Sequence, residues 1–262
     1  MSAIAKPRAL VTGGRRGIGR GIAYAFAEAG YDLVINDLVD DEATRETLRG
    51  IAERGGRGAF AQADVADVAG HGRLLDEALA PFGGIDVLVN NAGVSVAQRG
   101  DILDVTPESF DRLISIDLRA PFFLTQALAR RWLAAPQGVP AGAHRRSIIT
   151  ISSVNVEVVS LDRAEYCLAK SALPMMTKLF AVRLAEAGIG VFEIRPGLIA
   201  TNMTAPARER YDTLITDGIA PIRRWGEPAD IGRAAVALAS GAFAFSVGEA
   251  IHVDGGLTVK QL

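Results

Sequence analysis

The stretch ALVTGGRRGIG at residues 9–19 decides the fold of this chain. Its first three residues are apolar and end at glycines, which is typical of a short buried strand. Apolar residues at helical spacing then run from Ile18 to Ala29, and Gly30 stands where a helix is expected to end. The stretch therefore predicts a strand, a glycine-rich turn and a helix in succession.

The glycine-rich turn is suited to a phosphate group. Glycines let the backbone turn sharply and approach a pyrophosphate, and the following helix offers free N–H groups and its positive end. Many such turns are only turns, and the first gap is wider than in G-x-G-x-x-G, but the place between a strand and a helix favours dinucleotide binding. The predicted contacts from this turn are Gly13, Arg15, Arg16, Gly17, Ile18 and Gly19.

The rest of the chain repeats the alternation of strand and helix. Further strands are predicted at 33–35, 58–63, 85–89, 147–151, 191–194 and 250–253. Further helices are predicted at 41–54, 71–81, 107–133, interrupted near Pro121, and 164–187. Such alternation implies a parallel sheet covered on both faces. We expect one α/β domain over residues 1–262, of the doubly wound Rossmann type, with seven parallel strands.

Two segments fit this alternation poorly. Residues 202–225 hold Pro206, Gly218 and Pro221 around a possible helix, and we interpret them as a lid over the substrate. Residues 134–146 are rich in Ala, Pro and Gly and are expected to form a surface excursion.

Composition favours a soluble cytoplasmic protein. The 262 residues carry a net charge of -2, with 49% hydrophobic and 22% charged residues, so neither nucleic acid nor a membrane is an expected partner. The beginning of the chain lacks a long apolar stretch, and the single cysteine, Cys167, excludes an internal disulfide. The histidines His71, His144 and His252 show no metal-ligand spacing, so no metal is predicted.

A carboxylate ends the second predicted strand, in Ile35-Asn36-Asp37. Asp37 lies near the offset at which an acid meets the adenosine ribose hydroxyls, and it would repel a 2′-phosphate, which favours NAD. Arg16 argues for NADP, because a cation in the phosphate loop could bind that phosphate. Asp37 could instead be only a helix cap. We give Asp37 the greater weight and expect NAD.

Three polar residues form the candidate catalytic group. Tyr166 and Lys170 are four residues apart on a predicted helix and face the same way, and Ser153 follows the fifth strand. A free tyrosine has a pKa of about 10, and a nearby ammonium stabilises its phenolate. Many helices carry a Tyr and a Lys at this spacing, so this hypothesis depends on the phosphate loop as well.

Four motifs in order resemble the short-chain dehydrogenase/reductase family along the whole chain. They are Thr12 to Gly19, Asn90-Asn91-Ala92-Gly93, Ser153 with Tyr166-Cys167-Leu168-Ala169-Lys170, and Pro196-Gly197 with Thr201. The resemblance implies that Tyr166 gives a proton to a carbonyl oxygen that Ser153 orients, while Lys170 keeps Tyr166 acidic and bonds the nicotinamide ribose. It further implies cofactor contacts from Asp64, Val65, Asn91, Ala92, Gly93, Pro196, Gly197, Ile199 and Thr201.

Two positions depart from what the family or a regular helix would have. Family members usually carry Asn where this chain has Asp117, and that Asn holds a water in a proton relay; Asp117 would either replace it or contribute only its carbonyl. Pro174 cannot donate to the carbonyl of Lys170, so we expect a kink or a water there. Cys167 is expected to be a packed, inert thiol.

The expected function is hydride transfer between NAD and a ketone or secondary alcohol. The 3-oxoacyl-acyl-carrier-protein reductases are the most similar subgroup, through residues 195–199 and 224–228, and suggest a 3-oxoacyl thioester. Sugar, polyol and steroid dehydrogenases of the same family are an alternative, and a non-catalytic dinucleotide-binding sensor or scaffold is another. The family's usual ending, Asp254-Gly255-Gly256, implies a homotetramer. The substrate pocket is predicted from Ser95, Val96, Asn155, Val156, Glu157 and parts of 202–225.

Overall fold

One parallel sheet runs through the computed structural model, which describes residues 6–134 and 146–260. Its seven strands are β1 (Arg8–Thr12), β2 (Asp32–Asp37), β3 (Gly58–Gln62), β4 (Val87–Asn90), β5 (Arg146–Ile151), β6 (Ile189–Pro196) and β7 (Ala250–Val253). They are hydrogen-bonded in the order β3-β2-β1-β4-β5-β6-β7, and every pairing is parallel. The predicted seven-stranded, doubly wound sheet is confirmed, although β2 and β6 are three and four residues longer than expected and β3 and β4 are each one residue shorter.

Helices cover both faces of this sheet. They are α1 (Gly17–Glu28), α2 (Glu42–Glu53), α3 (His71–Leu79), α4 (Pro107–Ile114), α5 (Ala120–Ala134), α6 (Ala164–Leu184), α7 (Arg208–Thr216) and α8 (Pro228–Ala239). Strand side chains alternate between two cores, so Val11 packs with α1, α2 and α8, while its neighbour Leu10 packs with α3, α5 and α6. The order of strands reverses direction at β1 and β4, and a cleft opens there at the carboxyl ends.

Helix α8 was not anticipated from the sequence. Its signal is local: Glu227 and Asp230 form a capping box across Pro228, which occupies the first helical turn. The helix packs against α1 with very close backbones, because a Cβ on Gly21 would lie 2.4 Å from that of Pro228. Likewise, a Cβ on Gly232 would lie 2.6 Å from the Gly21 carbonyl oxygen.

The long helix expected over 107–133 is interrupted just before Pro121. A π-helical turn, Ser115–Arg119, separates α4 from α5. Pro121 has no N–H to give the carbonyl of residue 117, so the regular hydrogen-bond ladder cannot pass this point. Helix α6, by contrast, continues through Pro174 from Ala164 to Leu184.

Some sequence expectations fall outside the described residues. They include His144 and nearly all of the surface excursion expected over 134–146. None of the helices that the structure describes is long and apolar enough to cross a membrane. Within residues 6–134 and 146–260, no cluster of three or more His, Cys, Asp or Glu side chains is arranged to hold a metal ion.

Candidate active site

A cleft of about 640 Å³ lies along the carboxyl ends of the strands. Sixteen of the residues predicted from the sequence to bind cofactor or to act in catalysis line it: Gly13, Arg15, Arg16, Gly17, Ile18, Gly19, Asp37, Asp64, Val65, Asn91, Ala92, Gly93, Asp117, Tyr166, Lys170 and Thr201. Ser153, Pro196, Gly197 and Ile199 are not part of its wall. The size and concave shape suit a cofactor or small-molecule ligand.

The glycine-rich turn forms one end of the cleft. Gly13 and Gly17 have positive φ angles of 63° and 56°, which favour glycine. A Cβ on Gly19 would lie 2.1 Å from the Gly13 carbonyl oxygen, so the start of α1 packs directly on the turn. Asn91 fixes the turn from the neighbouring strand, donating from Nδ2 to the carbonyls of Thr12 at 2.8 Å and Gly13 at 3.1 Å. These glycines leave open the backbone cradle that a pyrophosphate needs.

Asp37 stands in the cleft wall at the end of β2. It is not a helix cap, because Asp41 caps α2 and accepts from the Thr44 N–H at 3.1 Å. The guanidinium of Arg15 lies between these two acids: its Nε is 3.5 Å from Asp37 Oδ1, and its Nη1 donates to Asp41 Oδ2. Arg16 also lines the cleft but is exposed, and it pairs with none of the described carboxylates.

Asp64 and Val65 line the cleft beyond β3. Asp64 Oδ1 accepts from the Ala66 N–H at 2.8 Å, which holds the loop in a tight turn. Buried Asn36 donates from Nδ2 to the carbonyls of Ala61 and Ala63, both at 3.0 Å. The edge of the cleft beside β2 is thereby fixed by side chain to backbone bonds.

Lys170 and Asp117 form a buried ion pair at the other end of the cleft. Lys170 Nζ lies 3.3 Å from Asp117 Oδ2, and the two side chains are 6% and 0% exposed. The Val94 N–H donates to Asp117 Oδ1 at 2.9 Å. Burial raises the pKa of Asp117 above its ordinary value despite Lys170. Burial lowers the pKa of Lys170, but the Asp117 carboxylate and Tyr166 together outweigh burial and leave the pKa raised.

Tyr166 lies one helical turn before Lys170 on α6 and lines the cleft. Lys170 Nζ is 5.6 Å from the centre of the Tyr166 ring, so the ammonium and the phenol share one face of the helix. The guanidinium carbon of Arg163 lies 5.0 Å from the same ring. Arg163 was missed from the sequence; it stands at the N-cap position of α6, before the first helical turn that carries Tyr166.

Ser153 begins the short 3-10 turn after β5 and is 7% exposed. Its Oγ accepts from the Asn155 N–H at 3.1 Å and donates to Asn155 Oδ1 at 3.3 Å. Arg163 donates from Nη2 to that same Oδ1 at 2.9 Å. The adjacent Ser152 donates to Glu193 Oε1 at 2.5 Å. Ser153 is thus held in the turn behind the cleft wall by a chain that leads to Arg163.

The turn after β6 closes the cleft. A Cβ on Gly197 would lie 2.6 Å from Asp254 Cα, so only glycine fits there. Ile199 is buried, and its carbonyl accepts from Thr204 Oγ1 at 2.8 Å. Thr201 continues from it into the cleft wall. Gly197 and Ile199 therefore shape the turn from behind.

The predicted substrate pocket is only partly formed as expected. Ser95 and Val96 line the cleft, as do Asn202, Met203 and Pro206 of the expected lid segment, whereas Asn155, Val156 and Glu157 do not. Glu157 accepts from Arg195 Nη1 and lies 3.3 Å from His252 Nε2, so these partners draw it away from the cleft.

Comparison with known proteins agrees with this geometry. The family model described as enoyl-(acyl carrier protein) reductase matches residues 13–258. The chain belongs to the short-chain dehydrogenase/reductase family. It is therefore an NAD(P)-dependent oxidoreductase, with the sheet that solved members of the family share.

Individual members of the short-chain dehydrogenase/reductase family differ in substrate. The chain is 36% identical over 250 residues to 2-dehydro-3-deoxy-D-gluconate 5-dehydrogenase of Dickeya dadantii, covering 95% of this chain and 94% of that protein. A 3-oxoacyl-[acyl-carrier protein] reductase from Brucella melitensis, solved with NAD, is 47% identical with a TM-score of 0.93, covering 99% and 100% of the two chains. A protein from Agrobacterium tumefaciens that is assigned as a 2-deoxy-d-gluconate 3-dehydrogenase was solved with NADP. It is 32% identical to this chain with a TM-score of 0.85, covering 97% of each chain.

Proposed function

We propose that this enzyme transfers a hydride between NAD and a ketone or secondary alcohol, with Tyr166 as the acid/base. The observation that carries the proposal is that Tyr166 and the buried Lys170–Asp117 pair lie in the wall of the cleft that begins at the glycine-rich turn. The nicotinamide cofactor supplies the hydride chemistry, and the protein supplies orientation and electrostatics.

Each member of the polar group has a distinct task in this mechanism. Tyr166 gives a proton to the carbonyl oxygen during reduction, and takes one back during oxidation of the alcohol. Lys170 stabilises the phenolate by its charge, and Asp117 keeps Lys170 charged inside a buried site. Ser153 orients the substrate oxygen, which requires its Oγ to exchange its bond with Asn155 for one with the substrate.

The cofactor is held along the whole cleft. The glycine-rich turn receives the pyrophosphate on its backbone, with Arg15, Arg16 and Ile18 beside it. Asp64, Val65, Asn91 and Ala92 contact the adenine side. Gly93 lets the nicotinamide ribose reach Lys170, because a Cβ there would lie 3.2 Å from Lys170 Nζ. The turn from Pro196 and Gly197 to Ile199 and Thr201 holds the carboxamide.

Asp37 supports NAD over NADP as the preferred cofactor. Its carboxylate lines the cleft at the end of β2 and would repel a 2′-phosphate. The exposed Arg16 is the opposing influence. Replacing Asp37 with Ala is expected to bring the affinities for NAD and NADP closer together. If the preference for NAD does not change, Asp37 does not contact the adenosine ribose as proposed.

Three substrate classes compete for this cleft. The 47% identity to a 3-oxoacyl-[acyl-carrier protein] reductase favours 3-oxoacyl thioesters, and the 36% identity to a deoxygluconate dehydrogenase favours sugar acids and polyols. A steroid dehydrogenase of Eggerthella lenta is 34% identical. We rank the thioester first, because the identity and coverage of the Brucella melitensis reductase exceed those of the deoxygluconate and steroid dehydrogenases named here.

Assembly and the lid complete the proposal. Helix α6 exposes an apolar stripe of Leu168, Met175, Leu179 and Val182, which are 54–74% exposed. Such a stripe supports burial against other copies, in a homotetramer. Sedimentation velocity that shows only monomer would contradict the tetramer.

Residues 202–225 are proposed as the substrate lid. The single Cys167 favours a cytoplasmic location.

The deciding experiment follows NADH and NADPH absorbance in parallel against 3-oxoacyl thioesters, sugar acids, polyols and steroids. Turnover of NADH with one class supports the proposal and names that class. Turnover of thioesters with NADPH alone means that Arg16 outweighs Asp37. Tight cofactor binding without turnover of any class would favour the non-catalytic sensor or scaffold instead.

A further inference from the structure

Three charged side chains of different elements meet at the ribose end of the cleft. Arg15 belongs to the glycine-rich turn, Asp37 ends β2, and Asp41 caps α2. Their side chains are 14%, 18% and 40% exposed, so the arginine and the first acid are largely shielded from water. Arg15 and Asp37 line the cleft, while Asp41 lies behind them.

The arginine is divided between the two acids unequally. Nη1 donates a hydrogen bond to Asp41 Oδ2, whereas Nε is 3.5 Å from Asp37 Oδ1, too long for a strong bond. The backbone of Arg15 is fixed as well, since its carbonyl accepts from Thr47 Oγ1 at 2.7 Å and from Arg20 Nη2 at 3.0 Å. Asp41 therefore holds the guanidinium back, and Asp37 faces the cleft incompletely neutralised.

We propose that Asp41 is a specificity-determining residue for the cofactor, acting through Arg15 on the charge that a 2′-phosphate meets. The three groups sum to one negative charge. Without the Asp41 charge, Arg15 would neutralise Asp37 and be free to turn toward a phosphate. Without the Arg15 charge, the 2′-phosphate would meet the uncompensated charges of two acids. This inference extends the NAD preference proposed above.

The two changes make opposite predictions. Asp41→Asn should lower the ratio of the NADPH dissociation constant to the NADH one by about fivefold, because like-charge repulsion at this range is of that order. Arg15→Gln should raise the ratio by about fivefold for the same reason. Asparagine is itself a good N-cap, so Asp41→Asn keeps the hydrogen bond from the Thr44 N–H to Oδ1 and removes both the charge and the oxygen that accepts from Arg15 Nη1.

The test measures both dissociation constants by nucleotide fluorescence, so it needs neither a substrate nor turnover. The matched control is Asp40→Asn, which removes the same charge from the residue next to Asp41. The Asp40 side chain is 54% exposed, and its nearest cation, Arg45 Nη1, is 3.9 Å away. Its ratio should stay within about twofold of the parent's. Salt screens the repulsion between the acids and the 2′-phosphate. Raising the salt concentration should therefore lower the ratio of the NADPH to the NADH dissociation constant in the parent, and lower it less in Asp41→Asn.

The outcomes separate this inference from the function on which it rests. If both dinucleotides bind and Asp41→Asn behaves like Asp40→Asn, the role of Asp41 is overturned while the oxidoreductase function stands. If Asp41→Asn raises the ratio, the sign of the argument is wrong and it is likewise overturned. Absence of binding by either dinucleotide would contradict the proposed function itself.

Discussion

The contact between Lys170 and Asp117 is the most consequential interaction at the scale of single residues. Two opposite charges are removed from water together, and each is tolerated only while the other remains. A neutral amide at position 117 could still accept the Val94 N–H, but it would stabilise the charge of Lys170 less than the carboxylate does. The acid therefore sets how far into alkaline pH the ammonium persists.

Asp117→Asn should move the alkaline limb of the pH–rate profile to lower pH. The pKa of Lys170 is raised by Asp117 against the lowering effect of burial, so loss of the acid leaves burial uncompensated and the pKa falls. The measurement is kcat for alcohol oxidation from neutral to strongly alkaline pH. Activity near neutral pH should survive. An alkaline limb that does not move would show that Asp117 acts only through its carbonyl.

Tyr166→Phe should reduce kcat by about 10²–10⁴-fold, because it removes the proton donor and keeps the ring. Affinity for NADH, measured by fluorescence, should change little. The matched control is Tyr24→Phe, whose hydroxyl donates to the Glu46 carbonyl at 3.3 Å away from the cleft. Turnover by Tyr166→Phe equal to that of the control would exclude Tyr166 as the acid/base.

The residue types at the site were readable from the sequence, but their partners were not. Spacing alone put Tyr166 and Lys170 on one helical face. The pairing of Arg15 with Asp41 joins a turn to a helix cap, and the bond from Arg163 to Asn155 joins two separate turns. Such contacts depend on how elements meet in space, and no periodicity records them.

At the scale of elements, α1 and α8 cross with very close backbones. Gly21 and Gly232 face each other where the backbones meet. Gly21→Ala should destabilise the protein by about 1–3 kcal/mol, because its Cβ would overlap Pro228. Thermal unfolding measures the loss.

Gly72→Ala is the control for that substitution. Gly72 lies in α3, and a Cβ added to it would have nothing within 4 Å, so alanine there should be neutral or stabilising by up to about 1 kcal/mol. If both variants melt at the same temperature, the close crossing is not a constraint.

Element boundaries show where sequence patterns are informative. Buried parallel strands read as apolar runs, so β7 was placed at its observed bounds and the others to within a few residues. The break near Pro121 was expected because proline lacks an N–H. Helix α8 was missed although Glu227, Pro228 and Asp230 signal its start, because the glycines and prolines before it suggested only a lid.

At the scale of the whole molecule, Asp162 joins α7, in the segment proposed as a lid, to the rim of the cleft. It accepts from Arg99 at 2.8 Å and from Arg210 of α7 at 3.2 Å, and Arg99 also reaches the Tyr211 hydroxyl at 3.5 Å. Burial raises the pKa of Asp162, but its bonds to Arg99 and Ser160 outweigh burial and lower it to about 2. The carboxylate therefore persists well into acid.

Asp162→Asn should lower the melting temperature by about 2–4 °C at neutral pH, a typical effect of losing about 1 kcal/mol in a chain of this size. Because the folded-state pKa is depressed, this contribution is complete above the ordinary pKa of 3.8 and is lost as pH falls toward about 2. The two melting curves should therefore converge in acid. The control is Asp104→Asn, an exposed aspartate; equal effects from both would refute the joining role of Asp162.

The packing of α8 on α1 also bears on how the protein is made. A ribosome completes α1 at residue 28, yet the helix that covers its apolar side is not complete until residue 239. Through most of synthesis, Ile22 and Phe26 lack this cover. The sheet that contains β1 also lacks its later strands during this time. The core between α1, α8 and the sheet can thus close only after nearly the entire polypeptide has emerged, and apolar surface stays open to aggregation during that interval.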